Sequence, residues 1–179
     1  GDDFIPLADW NEQCAATQDA IFENNRARMP ELFDWVNENF DAQVYEDSWS
    51  PFCLIARNNA DADVIQQRVN DHFSDEPQLT CVRNDIYARL SHTDYTKGTA
   101  MAEVTRRLNI PRAEILTAGD HWNDLSMLQT DLAQWLVAPA NAITEVMDHV
   151  RAQGGHVAKS EFGEGVLEGI EWALSTEAL

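Results

Sequence analysis

Two apolar rhythms run along the chain, and one gives way to the other near residues 91–96. From about Trp10 to Asn25, the residues Trp10, Cys14, Thr17 and Ile21 return at helical spacing on one face. A second helix is expected from Pro30, a residue favoured at a first helical position, to about Phe40 through Leu32, Phe33 and Val36. Strands follow at about 43–48 and 52–57, joined at Ser50-Pro51. Asp61 opens a third helix to about Phe73, with Val64, Ile65, Val69 and Phe73 expected inward. Two more strands, 78–83 and 86–91, flank Asn84-Asp85, a two-residue hairpin signal. Residues 30–91 thus order as helix, strand, strand, helix, strand, strand, an α+β layer with two helices on one sheet face.

After Thr96 strands alternate with helices. A helix opens at Lys97 and runs through Met101, Val104 and Leu108 until Pro111 stops it. Then come a strand at 114–118, a helix at 124–130, a strand at 134–137 and a helix at 142–152. A short stretch near His156-Val157 precedes a last helix at 164–174. This alternation predicts a parallel, Rossmann-like sheet. The fold class is therefore α/β, in two parts: an α+β layer over 10–91 and a parallel layer over 92–179, with 1–9 leading in.

Composition narrows the setting. An apolar fraction of 44%, with six Trp and seven Phe, argues against disorder. Net charge is −19, from 31 acids against 12 bases, which disfavours nucleic acid and anionic membrane as partners. No apolar run approaches the roughly 18 residues of a membrane span. Cys14, Cys53 and Cys81 are odd in number, far apart and set in apolar patterns, as expected of reduced thiols in a cytoplasmic protein.

The chemistry concentrates in Thr117-Ala118-Gly119-Asp120-His121-Trp122-Asn123-Asp124. A plain strand–loop–helix joint explains one acid there, since Asn and Asp favour helix N-caps. It does not explain Asp120, at the C-terminal end of the expected strand, where ligands bind in open α/β sheets. Two carboxylates in one turn suit a hard cation such as Mg²⁺, which takes one or two of them plus a phosphate and waters. Both readings stay open on the turn alone. Lys97 and Lys159 are the chain's two lysines. In a right-handed crossover, the helix opening at Lys97-Gly98 starts on the sheet edge where the strand before Asp120 ends. A lysine at a helix N-terminus makes a phosphate site, though an ordinary solvated lysine fits the same position.

Taken together, Lys97-Gly98 and Gly119-Asp120-His121-Trp122-Asn123-Asp124 resemble the KG and GDxxND motifs of the haloacid-dehalogenase superfamily of phosphohydrolases. Asn141-Ala142-Ile143-Thr144-Glu145-Val146 is similar to the NAxxEV stretch that follows them, and Gly163-Glu164-Gly165-Val166 to a late helix start. The α+β layer resembles the open-faced cap of the Cof-type and sucrose-phosphate-phosphatase branch. The resemblance implies Mg²⁺-dependent hydrolysis of a small phosphate ester, a sugar phosphate, through an aspartyl-phosphate. It implies that Asp120 binds the metal, that Asp124 ligates it or orients a metal water or Lys97, and that Asn123 holds the phosphate side. Lys97 would neutralise phosphate and nucleophile. Arg83, Tyr87 and Arg89, on the last cap hairpin, are candidates to read the substrate, with solvated side chains as the alternative. Trp122 is expected to pack, while His121 either touches substrate or lies at the surface.

The family's DxDx[TV] nucleophile motif has no match here. Asp2-Asp3 follows no apolar strand, and Asp61-Ala62-Asp63 leads into a helix. The resemblance therefore implies a cap plus the C-terminal half of a core, inactive alone, with Ile115 and Leu116 exposed on an open strand edge. The rivals are a non-catalytic domain of the same fold, for example one appended to a glycosyltransferase, and a phosphomannomutase-like enzyme. Oligomeric state is not legible.

Overall fold

The structure is a computed structural model that describes residues 6–177. Most of the expected 1–9 lead-in and the last two residues lie outside the described residues. The chain divides into two compact units, Gly1–Tyr95 and Thr96–Leu179.

The first unit is helix-rich before it becomes a sheet. Helix α1 (Ala8–Asn25) buries only its last turns, through Ile21, Phe22 and Asn25, so the expected face through Cys14 and Thr17 is largely solvated. A 3-10 turn (Arg26–Arg28) leads to α2 (Met29–Asn39), with Pro30 in its first turn and Met29, Leu32 and Val36 buried. Strands β1 (Gln43–Tyr45) and β2 (Cys53–Ile55) follow. Helix α3 (Asn59–His72) starts two residues before the expected Asp61 because Asn58 is the cap, its side chain accepting the Asp61 N–H at 2.9 Å. Its inward face is Ala62, Ile65 and Val69; Val64, expected inward, is 53% exposed, turned off that stripe.

Strands β3 (Leu79–Asn84) and β4 (Tyr87–His92) close a hairpin in which Asn84 pairs with Tyr87. The two loop residues are thus Asp85 and Ile86, one position later than expected, with Asp85 left-handed at φ 54°. The antiparallel sheet has the order β1-β2-β4-β3. Phe52, Leu54, Cys81, Ala88 and Leu90 pack with α1, α2 and α3 into one core, which covers one face. Burial pushes the Cys81 thiol up to about 12, so it stays protonated and inert.

The second unit is a three-stranded parallel sheet, β5 (Leu116–Ala118), β6 (Trp135–Ala138) and β7 (His156–Val157), in that order. Helix α4 (Lys97–Leu108) is capped by Thr96, which exchanges bonds with Thr99, and ends on left-handed Asn109. Helix α5 (Thr144–Ala152) supplies Val146 and Val150 to a core that holds Ile115, Leu136 and Ala138, with Met101 of α4 packed on it. Helix α6 (Phe162–Glu177) also packs on the sheet and, with Leu116 and Trp135, borders a hollow of about 340 Å³. Among the described strands β5 is an edge, but Ile115, expected to be exposed there, is buried in this core; Leu116 lines the hollow. No helix among the described residues is long and apolar enough to cross a membrane.

Candidate active site

All three parallel strands end on one edge, and the chain after each carries a polar residue of interest: Asp120 after β5, Asn141 after β6 and Ser160 after β7. The expected helix at 124–130 is not formed. Instead a 3-10 turn, Trp122–Asp124, is followed by further turns. Side chains of this turn bond to backbone on either side of it. Asp124 is 4% exposed and its Oδ2 accepts the backbone N–H of Asp120 at 3.0 Å and of His121 at 3.1 Å. Ser126 Oγ accepts the N–H of Gly98 at 3.1 Å.

Glycine is required at two of these positions by close approach. A Cβ on Gly98 would lie 2.0 Å from the Ser126 carbonyl oxygen, so α4 starts hard against the turn. A Cβ on Gly119 would lie 2.4 Å from that of Asp124. This proximity brings Lys97 and Asp124, distant in sequence, together: Lys97 Nζ donates to Asp124 Oδ1 at 2.5 Å. The Lys97 side chain is half exposed, and an ammonium has three donors, so two remain to face a ligand.

Both oxygens of Asp124 are therefore engaged, and it holds Lys97 and the turn. Asp120 is exposed, with Oδ2 accepting from Asn141 Nδ2 at 3.1 Å and Oδ1 without a protein partner among the described residues. Asn123 Oδ1 is buried and has no partner there either. An unpaired buried acceptor costs about 1–3 kcal/mol, and a hydrated cation, which presents O–H donors, would satisfy it. Oxygen donors of this kind fit Mg²⁺, with Asp120 as the residue that would hold it. Among the described residues no group of three His, Cys, Asp or Glu is gathered for a metal.

His121 is buried, 4.6 Å edge-to-face from Trp122, rather than at the surface. Beyond β7, Glu168 accepts from the N–H groups of Lys159 at 3.0 Å and Ser160 at 3.1 Å and is 3.0 Å from His156 Nε2. The hydrogen bond with His156 is the main reason its carboxyl is held below the usual range, with the two amides adding to it.

The three other expected site residues belong to the first unit. Tyr87 is 53% exposed, and Arg89, on the same face of β4, donates to Asp47 at 2.8 Å while staying half exposed. Arg83 differs. It is directly opposite Ala88, so it lies on the helix-covered face, away from Tyr87 and Arg89, and its side chain is buried. There it pairs with Asp63 and donates to Asn59 at 2.5 Å and to the Asp85 carbonyl at 2.6 Å. Arg83 fastens α3 to the hairpin and is corrected from substrate reader to structural residue. Asn141, noted in the sequence only as the opening of the NAxxEV stretch, had no role assigned to it. It stood in the sequence as a polar side chain just past a strand end, the position already used to single out Asp120.

With the geometry in hand, comparison with known proteins is decisive. The sequence pattern of the haloacid dehalogenase-like hydrolases matches residues 11–170. The chain belongs to this family. It is 22% identical over 160 residues to a phosphoglycolate phosphatase of Methanococcoides burtonii, covering 89% of this chain and 67% of that one. A phosphoglycolate phosphatase of Methanothrix thermoacetophila is 24% identical over 147 residues, 82% of this chain and 62% of that one. The fold is similar to that of the sucrose-phosphatase from Synechocystis, solved with sucrose and phosphate, at a TM-score of 0.61 and 18% identity, covering 80% of this chain and 62% of that one. The chain thus spans about two thirds of the length of these relatives.

Proposed function

We propose that the whole protein hydrolyses a phosphate monoester, a sugar phosphate, with Mg²⁺ as cofactor. The observation that carries this reading is the Lys97–Asp124 pair: a cation at a helix start is held by a buried carboxylate beside an exposed one at a strand end. The remaining N–H groups of Lys97 would bind a phosphate oxygen and neutralise its charge, most effectively once water is excluded. Asp124 fixes Lys97 and holds the Asp120 amide, so the loop needs little reorganisation when a substrate arrives. Asn123 would face the phosphate side, while Tyr87 and Arg89 would read the sugar. Mg²⁺ held by Asp120 would draw charge from the phosphate oxygens. In this reading the phosphoryl group passes to an aspartate of the family's DxDx[TV] motif, which has no match in these 179 residues.

The relatives similar in sequence are phosphoglycolate phosphatases, so phosphoglycolate is the rival substrate. Phosphate release by the whole protein from a panel of hexose phosphates, sucrose phosphate and phosphoglycolate, with and without EDTA, tests the reading. We expect EDTA-sensitive release from a sugar phosphate. Preference for phosphoglycolate would overturn the substrate assignment, and EDTA-insensitive release the cofactor.

A further inference from the structure

We infer that Asn141 is the positioning residue of this site: it fixes the Asp120 carboxylate for a cation by tying together the chain beyond all three parallel strands. The inference rests on the Mg²⁺ reading above. Asn141 Nδ2 donates to Asp120 Oδ2 at 3.1 Å, beyond β5, and its Oδ1 accepts the N–H of Phe162 at 2.6 Å, beyond β7. The orientation of the amide is decided by chemistry, since a carboxylate only accepts and a backbone N–H only donates. Backbone bonds repeat the stitching: Ile143 N–H reaches the Asp120 carbonyl at 2.9 Å, and Ala140 N–H the Ser160 carbonyl at 2.9 Å.

Two features give the bridge a directed purpose. The bond to Oδ2 restrains the plane of the Asp120 carboxylate and leaves Oδ1 with no protein partner among the described residues. At the other end, Phe162 sits at φ 51°, a left-handed conformation rarely adopted by a bulky residue. Its side chain is 67% exposed, so packing does not hold it there; the bond from its N–H to Asn141 restrains that backbone. Asn141 therefore couples the start of α6 to the direction in which Asp120 points.

The test titrates Mg²⁺ alone into the ¹⁵N-labelled protein, following the Asp120 amide and, separately, hydrogen exchange at the Phe162 amide. The wild type should show a saturable response that Asp120→Asn abolishes. Asn141→Ala should weaken Mg²⁺ binding about 10- to 100-fold, the usual cost of losing a partner that orients a metal ligand, with the dispersed spectrum retained. Exchange at Phe162 should quicken in the same variant. Should Asn141→Ala not fold, Asn141→Ser, polar but too short to bridge both partners, carries the same expectation. Wild-type Mg²⁺ affinity in a folded Asn141 variant, with faster exchange at Phe162 alone, would reduce Asn141 to a loop staple and overturn the inference while leaving the metal reading intact. No saturable response in the wild type would overturn the metal reading, and the inference with it.

Discussion

Replacing Gly98 by alanine sets two known effects against each other, and the structure decides the sign. In an open helix the change ordinarily stabilises by about 0.8–1 kcal/mol, because alanine loses less backbone freedom on folding. At Gly98 the added Cβ meets the Ser126 carbonyl oxygen at 2.0 Å and its carbon at 2.6 Å. Both are backbone atoms, so no flexible side chain can swing away, and the start of α4 must retreat by about 1 Å to reach the 3.0 Å below which real contacts essentially never fall. Overpacking of this kind costs about 1–3 kcal/mol, which outweighs the propensity gain. The same retreat stretches the Gly98–Ser126 bond and the 2.5 Å Lys97–Asp124 pair. Urea unfolding, followed by amide signals of the second unit, should show Gly98→Ala less stable by about 1–2 kcal/mol. Gly163, whose added Cβ meets nothing within 4 Å, is the control: Gly163→Ala should be neutral or stabilising. If Gly98→Ala instead stabilises like the control, α4 is not clamped to the turn, and the placement of Lys97 loses its physical basis.

Two further outcomes test contacts within each unit. Arg83→Ala should destabilise the first unit by about 1–3 kcal/mol in urea unfolding, since it leaves the Asn59 and Asp85 acceptors without their donor and a void under the hairpin. Unchanged stability there would return Arg83 to the list of solvated cations. Glu168 titrates lower in the folded chain than its ordinary 4.5, so the unfolded chain takes up its proton first. Its contribution is fully present above about pH 4.5 and is lost as pH falls through the lower folded value. Amide exchange at Lys159 and Ser160 should therefore rise below pH 4.5 after correction for intrinsic rates, and Glu168→Gln should flatten that response.

Much of the architecture was legible because it rests on local signals. Pro30, the Lys97 helix start and the stop before Pro111 are carried by residues at helix ends. The helix expected at 124–130 rests on the helical spacing of Leu125, Met127 and Leu128, but the chain there forms a 3-10 turn and further turns instead. Arg83 was misplaced for a different reason. In an antiparallel pair the partner positions sum to a constant, so Arg83 opposes an even-numbered residue and cannot share a face with Tyr87 and Arg89. That signal was present in the hairpin itself. The bridge through Asn141 was hidden because it joins positions 120, 141 and 162, and only the order of the parallel strands brings them together.

In the proposed site Asp120 holds a cation beside a phosphate neutralised by Lys97. The most direct measurement is turnover of the whole protein on its best phosphate ester, wild type against Asp120→Asn, across a Mg²⁺ series. Asparagine keeps the size and can still accept from Asn141, so the fold should stay, as a matched urea midpoint would verify. Loss of the charge should lower kcat about 10²-fold or more, the equivalent of several kcal/mol of stabilisation lost, and excess Mg²⁺ should not restore it. Turnover by Asp120→Asn equal to wild type at every Mg²⁺ concentration would contradict the account and leave Asp120 as a solvated acid in a well-made turn.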